Sequence, residues 1–297
     1  MTFASAMAVA GLACAVSVLC VSAATRRLAR RASLALAVRP EIVLFGDSIT
    51  QQSFAPGGWG SRIADHYQRT ADVRLRGFSG YNTRWALQLL PRVFAPEGLA
   101  PLLVTVLLGA NDANLPAPIN GLPAEASRQH VPLDEYVANL RAIVRAIRAV
   151  GDGSARVLLI TPPPCDDKAW HAQCVSAHGV PREAEPNRRL EVTQLYAEAC
   201  ARLGREDGIP TADLHSALLA RDDWRHLLRD GLHPNAAGGA AIADTVLDAI
   251  RAHYPEFQPA SYADPEPARL PLDFPDHKAV DVADVAGSFR RHAEGRQ

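Results

Sequence analysis

The strongest constraint on the fold is a short run, Glu41-Ile42-Val43-Leu44-Phe45-Gly46-Asp47-Ser48-Ile49-Thr50. Four consecutive apolar residues with no polar alternation read as a strand buried on both faces, the signature of a parallel sheet covered by helices. Gly46 breaks the strand, and Asp47, Ser48 and Thr50 stand where the chain turns into a helix. Such a turn places the Ser48 hydroxyl at the carboxyl rim of the sheet, where open α/β folds hold their ligands. Three readings of Ser48 are open here. It can cap the helix, contribute to a phosphate-cradling turn as in flavodoxin-like folds, or act as a nucleophile.

The rest of the chain repeats the strand-then-helix pattern. Asp72–Phe78, Pro101–Leu108, Ala155–Ile160 and Ile209–Leu214 are the further strands expected. Helices are expected over Trp59–Thr70, through Trp85 and Leu90, over Leu133–Val150, Glu185–Leu203 and Ala236–His253. The Leu133–Val150 segment is clearly amphipathic, with Tyr136, Val137, Leu140, Ile143, Val144 and Ile147 on one face. Alternation of this kind implies a doubly wound, parallel five-stranded sheet between two helical layers, with right-handed crossovers. Two long loops are expected, Leu115–Val131 and Thr161–Pro181, the second opened by Pro162-Pro163-Pro164. Loops of that length in a compact domain are usually functional.

Three parts are expected along the 297 residues: an apolar segment and linker over 1–40, a catalytic domain over 41–254, and a proline-rich charged tail over 255–297, extended or loosely packed. Met1–Ala24 is almost wholly apolar, and Arg26, Arg27, Arg30 and Arg31 follow it. Its length suits a bilayer span. Basic residues after the span favour an anchor with a cytoplasmic domain, with a cleaved secretory or organelle-targeting peptide as the alternative. Membrane association is therefore expected to involve residues 1–24.

A formal net charge of -1 supplies no electrostatic footprint for nucleic acid, and a small neutral ligand fits better. Cys165, Cys174 and Cys200 lie in the folded part, an odd number without a disulfide framework. Cys165 and Cys174 share a loop with His171 and His178, but the spacing matches no zinc pattern, so no metal is expected.

Strand-end turns bring Ser48, Gly80 and Asn111 to one rim, and a later turn, Asp230-Gly231-Leu232-His233-Pro234-Asn235, adds an acid and a histidine three residues apart. A serine hydroxyl needs a base to become a nucleophile, histidine can supply it at neutral pH, and a carboxylate is needed to orient the histidine. Donors for an oxyanion are available from the amides of Ser48 and Gly80 and the Asn111 side chain. The candidate set is Ser48, Asp230 and His233 as catalytic residues, with Ser48, Gly80 and Asn111 as the oxyanion hole.

With those residues in place the chain resembles the SGNH (GDSL-type) hydrolases. Gly46-Asp47-Ser48-Ile49-Thr50, Ser79-Gly80-Tyr81-Asn82-Thr83, Gly109-Ala110-Asn111-Asp112 and Asp230-Gly231-Leu232-His233-Pro234 match the four blocks of that family in order, across Glu41–Tyr254. Arg76–Trp85 and Gln129-His130-Val131-Pro132-Leu133 are similar to the isoamyl acetate-hydrolysing esterase branch. The resemblance implies a flavodoxin-like three-layer α/β/α fold, no cofactor or metal, and a small short-acyl ester as substrate. It implies an acyl-enzyme on Ser48, with acyl transfer by the same residues as one alternative and a flavodoxin-like cofactor-binding module as another. Trp59, Trp85 and the Thr161–Pro181 loop are candidates to shape the pocket. Asp47 is read as capping or orienting the turn and Arg84 as structural, and Asp112 is given no role. Oligomeric state is not legible in the sequence.

Overall fold

The computed structural model describes residues 39–95, 97–115, 128–261 and 269–295. Five parallel strands form one sheet in the order β2-β1-β3-β4-β5. They are β1 (Glu41–Gly46), β2 (Asp72–Gly77), β3 (Leu103–Leu107), β4 (Arg156–Ile160) and β5 (Thr211–Ala212). The described helices, in chain order, are α1 (Ser48–Gln51), α2 (Trp59–His66), α3 (Thr83–Val93), α4 (Leu133–Arg148), α5 (Asp167–His178), α6 (Leu190–Asp207), α7 (Leu214–Leu219), α8 (Ala236–His253) and α9 (Val285–Glu294).

The continuous apolar runs behave as a parallel sheet requires. Successive residues of β1 alternate between two cores. Ile42 and Leu44 join Leu103, Leu158 and Ile160 against Trp59 and Ile63 of α2, Tyr67 just past its end, and Ile242, Val246 and Ile250 of α8. Val43 and Phe45 join Val104, Val106, Val157 and Leu159 against Ala86 and Leu90 of α3, a face of α4, and Cys200 and Leu203 of α6. The α4 residues of that core are Tyr136, Leu140, Ile143, Val144 and Ile147, five of the six expected from the sequence; Val137 packs at its margin. The result is the three-layer α/β/α arrangement expected. Since each fully buried Ile, Val or Leu contributes roughly 1.5–3 kcal/mol, the two cores hold the strand ends in a fixed register. That register pairs Gly46 with both Gly77 and Leu107.

Several expectations are corrected. Thr161–Pro181 is not simply a loop: Asp166 accepts from the Ala169 amide and starts α5, which ends at left-handed Gly179. Its apolar face is too weakly patterned to stand out in the sequence. Helix α6 begins at Leu190 rather than Glu185, so Asn187 and Arg188 approach it as non-helical chain. Helix α2 stops at His66, short of the expected Thr70. Strand β5 shrinks to two residues because Asp213 already caps α7.

The described residues of the tail pack against the domain, where an extended or loosely packed tail was expected. Phe257 and Leu270 belong to the α8-side core, and Pro259 bridges to Leu270. The Asp273 carboxylate takes Arg69 Nε at 2.9 Å, and α9 follows with Asp284 as its cap. Among the described residues no helix is long and apolar enough to cross a membrane. The Met1–Ala24 segment and residues 116–127 of the first expected loop lie outside them.

Candidate active site

The Ser48 turn is built by close approach. Asp47 Oδ1 accepts from the Ile49 amide at 2.9 Å and starts α1 at the end of β1. Helix α1 lies directly on the strand ends, and only glycine fits beneath it. A Cβ on Gly46 would fall 2.3 Å from Thr50 Oγ1, and one on Gly77 would fall 2.0 Å from the Gln51 amide nitrogen. Trp59, expected to shape the pocket, is fully buried instead. Its Nε1 donates to the Ile49 carbonyl at 3.0 Å and supports α1 from below.

Asp230 and His233 arrive on the turn before α8. The Asp230 Oδ1 accepts from the amides of Leu232 at 2.9 Å and His233 at 2.7 Å, which folds the turn around the carboxylate. Gly231, at φ +86°, packs flush on the start of α5, where a Cβ would sit 2.4 Å from the Trp170 nitrogen. The other carboxylate oxygen meets His233 Nδ1 at 2.7 Å, and His233 Nε2 meets Ser48 Oγ at 2.9 Å. The His233 and Asp230 side chains are 14% and 16% exposed, so the dyad is shielded yet reachable. Burial works to raise the Asp230 carboxyl, but hydrogen bonds from the His233 ring and backbone, with its charge, outweigh it and bring the pKa down to about 2. A carboxylate that stays ionised holds Nδ1 as the donor and leaves Nε2 free to accept the serine proton.

Gly80 and Asn111 lie on the turns that follow β2 and β3, the two strands flanking β1. No acceptor among the described residues takes the Gly80 amide. The two turns are tied together: Asn111 Nδ2 donates to the Tyr81 carbonyl at 2.8 Å, and Gln129 Nε2 donates to the Gly80 carbonyl at 2.8 Å. Gln51 Oε1 accepts from the Ser79 amide at 2.7 Å and joins α1 to the same turn. Beneath them Asp112 is fully buried and accepts from the Thr83 amide and hydroxyl. Burial pushes its carboxyl up to about 7, against the lowering effect of those Thr83 bonds. Burial likewise raises Asp47 to about 6. Asp47 thus caps the Ser48 turn, as expected of it, and Asp112 ties the Asn111 turn to the start of α3 through Thr83. Arg84 makes a two-pronged pair with Glu135 on the surface, the structural role expected of it.

Sequence reasoning did not find Arg188 or Trp170. Arg188 is only 4% exposed and donates to Asn111 Oδ1 at 2.8 Å. Trp170, on α5, lies 5.5 Å from the Arg188 guanidinium and meets the His233 ring edge-on at 6.0 Å. Reading Asn187-Arg188 as helix and Trp170 as loop hid both. The proline-bounded Pro186-Asn187-Arg188 approach to α6 was the available signal. Among the described residues no cluster of His, Cys, Asp or Glu could hold a metal. Cys165, Cys174 and Cys200 are free and buried.

A parallel α/β/α sheet with a Ser-His-Asp relay on its carboxyl rim defines a serine-type hydrolase architecture. The GDSL-like lipase/acylhydrolase family model matches residues 44–241, and the chain belongs to that family as a carboxylic ester hydrolase of the SGNH type. It is 40% identical over 255 residues to a GDSL esterase/lipase of Arabidopsis thaliana, covering 85% of this chain and 98% of the relative. It is 45% identical over 213 residues to the isoamyl acetate-hydrolyzing esterase 1 homolog of Mus musculus, covering 70% and 80%. The crystal structure of a lipase/acylhydrolase from Enterococcus faecalis shares the fold, with a TM-score of 0.54 at 23% identity over 72% of this chain and 96% of that one. Membership in this family decides against the cofactor-binding alternative for the Ser48 turn.

Proposed function

We propose that the chain hydrolyses small short-acyl esters through an acyl-enzyme on Ser48. The observation that carries this reading is the unbroken relay from Asp230 to His233 at 2.7 Å and from His233 to Ser48 at 2.9 Å. His233 Nε2 takes the hydroxyl proton as Ser48 Oγ bonds to the ester carbonyl carbon. The carbonyl oxygen becomes an oxyanion, held by the Ser48 and Gly80 amides and Asn111 Nδ2. Asp230 keeps His233 in the correct tautomer and stabilises its charged form. Collapse breaks the bond to the alcohol oxygen, which leaves with the proton from His233. Water then gives a proton to His233, attacks the acyl carbon, and releases the acid as Ser48 regains its proton.

Two things support a short acyl chain. Relatives similar over most of the hydrolase region carry isoamyl acetate in their names, and half-buried aromatic groups crowd the rim, with Tyr81 packed on Phe78 and Trp85 and Trp170 beside His233. Ser48→Ala, with wild-type folding, is expected to abolish turnover and fluorophosphonate labelling. A nitrophenyl ester series is expected to give its highest kcat/KM between acetate and hexanoate. Undiminished esterase activity in Ser48→Ala would overturn the mechanism, and a preference for palmitate would overturn the substrate class.

A further inference from the structure

Arg188 is a buried charge whose partners are not acids. At 4% exposure, a guanidinium costs several kcal/mol to desolvate unless it is paired and hydrogen-bonded. Among the described residues no carboxylate forms an ion pair with it. Its terminal nitrogens are instead spent on uncharged oxygens around one turn. One donates to the Ala110 carbonyl. The other donates to Asn111 Oδ1 at 2.8 Å and Gln129 Oε1 at 3.2 Å. Its Nε makes no hydrogen bond among the described residues, and the face of Trp170 lies 5.5 Å away. A residue needed only for packing would be better served by an apolar side chain of similar volume.

The geometry points to Arg188 as a positioning residue for the Asn111 amide. This rests on the proposal that Asn111 donates to the oxyanion. A free asparagine amide can flip, and a flipped Asn111 would present its oxygen, not its N–H, to the developing negative charge. The guanidinium can only donate. It therefore accepts one orientation alone, with Oδ1 toward Arg188 and Nδ2 toward the Tyr81 carbonyl and the rim. Donation of a charge-assisted hydrogen bond to Oδ1 also polarises the amide and makes its N–H a stronger donor. Gln129 joins the same frame, because its Oε1 accepts from Arg188 while its Nε2 donates to the Gly80 carbonyl. Gln129 Oε1 also accepts from Asn114 Nδ2 at 3.0 Å, so the Gly80 turn has a second support and the Asn111 amide is the group that depends on Arg188.

The test is a double-mutant cycle in the full-length chain, using Arg188→Met and Arg188→Lys with and without Asn111→Ala. Methionine fills the space without a charge, and lysine keeps the charge without the two-pronged reach. In the otherwise wild-type chain each is expected to lower kcat about 10- to 10²-fold, up to the loss of one oxyanion donor, with KM little changed and rates normalised to fluorophosphonate-titratable sites. In the Asn111→Ala background the same substitutions are expected to cost less than threefold, because the group they position is gone. Equal losses in both backgrounds, or no loss in kcat beside Asn111, would overturn the assignment. Should neither variant fold, the wild type carries the test. The Asn111 side-chain amide protons, identified in NMR spectra by their absence in Asn111→Ala, are expected to exchange slowly with solvent, and fast exchange would overturn it. A normal kcat for Asn111→Ala itself would instead remove Asn111 from the oxyanion hole and leave the Ser48 mechanism to its own test.

Discussion

Replacing Asp230 with asparagine changes one atom and inverts one hydrogen bond. The carboxamide oxygen can still accept from the Leu232 and His233 amides, which Asp230 Oδ1 holds at 2.9 and 2.7 Å, so the turn is expected to fold. The NH₂ then faces His233 Nδ1 across the present 2.7 Å contact. Two donors cannot share that contact, so Nδ1 must become the acceptor and Nε2 must carry the proton. Nε2 is the atom 2.9 Å from Ser48 Oγ, and a protonated Nε2 cannot take the serine proton. The charge is lost as well. The Asp230 pKa lies near 2 against an ordinary 3.8, a displacement worth about 2–3 kcal/mol at roughly 1.36 kcal/mol per unit. That displacement combines bonds from the His233 ring and the backbone amides with the His233 charge, so it sets the scale of the carboxylate's interactions and not a rate by itself. With the charge lost and the tautomer wrong, the expected loss in kcat approaches about 10⁴. The assay is kcat for a short nitrophenyl ester near pH 8, beside a melting curve and fluorophosphonate labelling. A loss below tenfold in folded protein would refute the reasoning and assign the orienting role to another group.

Asn111→Ala is expected to lower kcat about 10²–10³-fold with KM nearly unchanged; a near-normal kcat with a lower melting temperature would leave Asn111 a turn residue only. Asp112, raised by burial to about 7, favours folding when protonated, so its contribution is full below about pH 4 and lost as pH rises through about 7. Asp112→Asn is therefore expected to gain stability relative to wild type across that window, and a gap in melting temperature flat from pH 4 to 8 would contradict this. Ending the chain at Ser261 removes Leu270 from the α8-side core and Asp273 from Arg69. Loss of the Leu270 burial alone is worth about 1.5–3 kcal/mol, so the melting temperature is expected to fall by about 3–12 °C with kcat preserved. An unchanged melting curve would show the tail to be energetically idle.

The legible parts of the fold were those with strong local pattern. Ile42–Phe45 is apolar without interruption and Leu103–Leu107 is broken only by the buried Thr105, because both faces are covered, and α4 shows its buried face in its spacing. The relay was legible because Ser48, Asp230 and His233 sit in short turns where few other residue types fit. What escaped depended on tertiary contact. Helix α5 is held by its Asp166 cap and by its contact with Gly231, not by a clear apolar stripe. Arg188 resembles a solvated helix residue until the Ala110, Asn111 and Gln129 oxygens are placed around it. The tail reads as extended or loosely packed because its prolines and charges mask the apolar anchors Phe257 and Leu270.

Ser48 and His233 stand 185 positions apart in the chain, yet their contact depends on very few intermediaries. The serine side is fixed by β1, α1 and the buried Trp59 that opens α2. The histidine side is fixed by the turn that Asn235 ends, its side chain accepting from the Ala237 and Gly238 amides to start α8. Helices α2 and α8 then pack closely because Gly239 admits the Gly57 carbonyl, with no room for a Cβ. A second strap joins the two sides directly where Arg229 donates to the Gln52 side chain. Backbone contact at Gly239 leaves no slack for side-chain repacking, so bulk added there must move α8 bodily. Because His233 is carried on the turn leading into that helix, stability and the Ser48–His233 distance are coupled at this crossing. The α2–α8 contact is where bulk added at Gly239 is expected to be felt as a loss of rate as well as of stability.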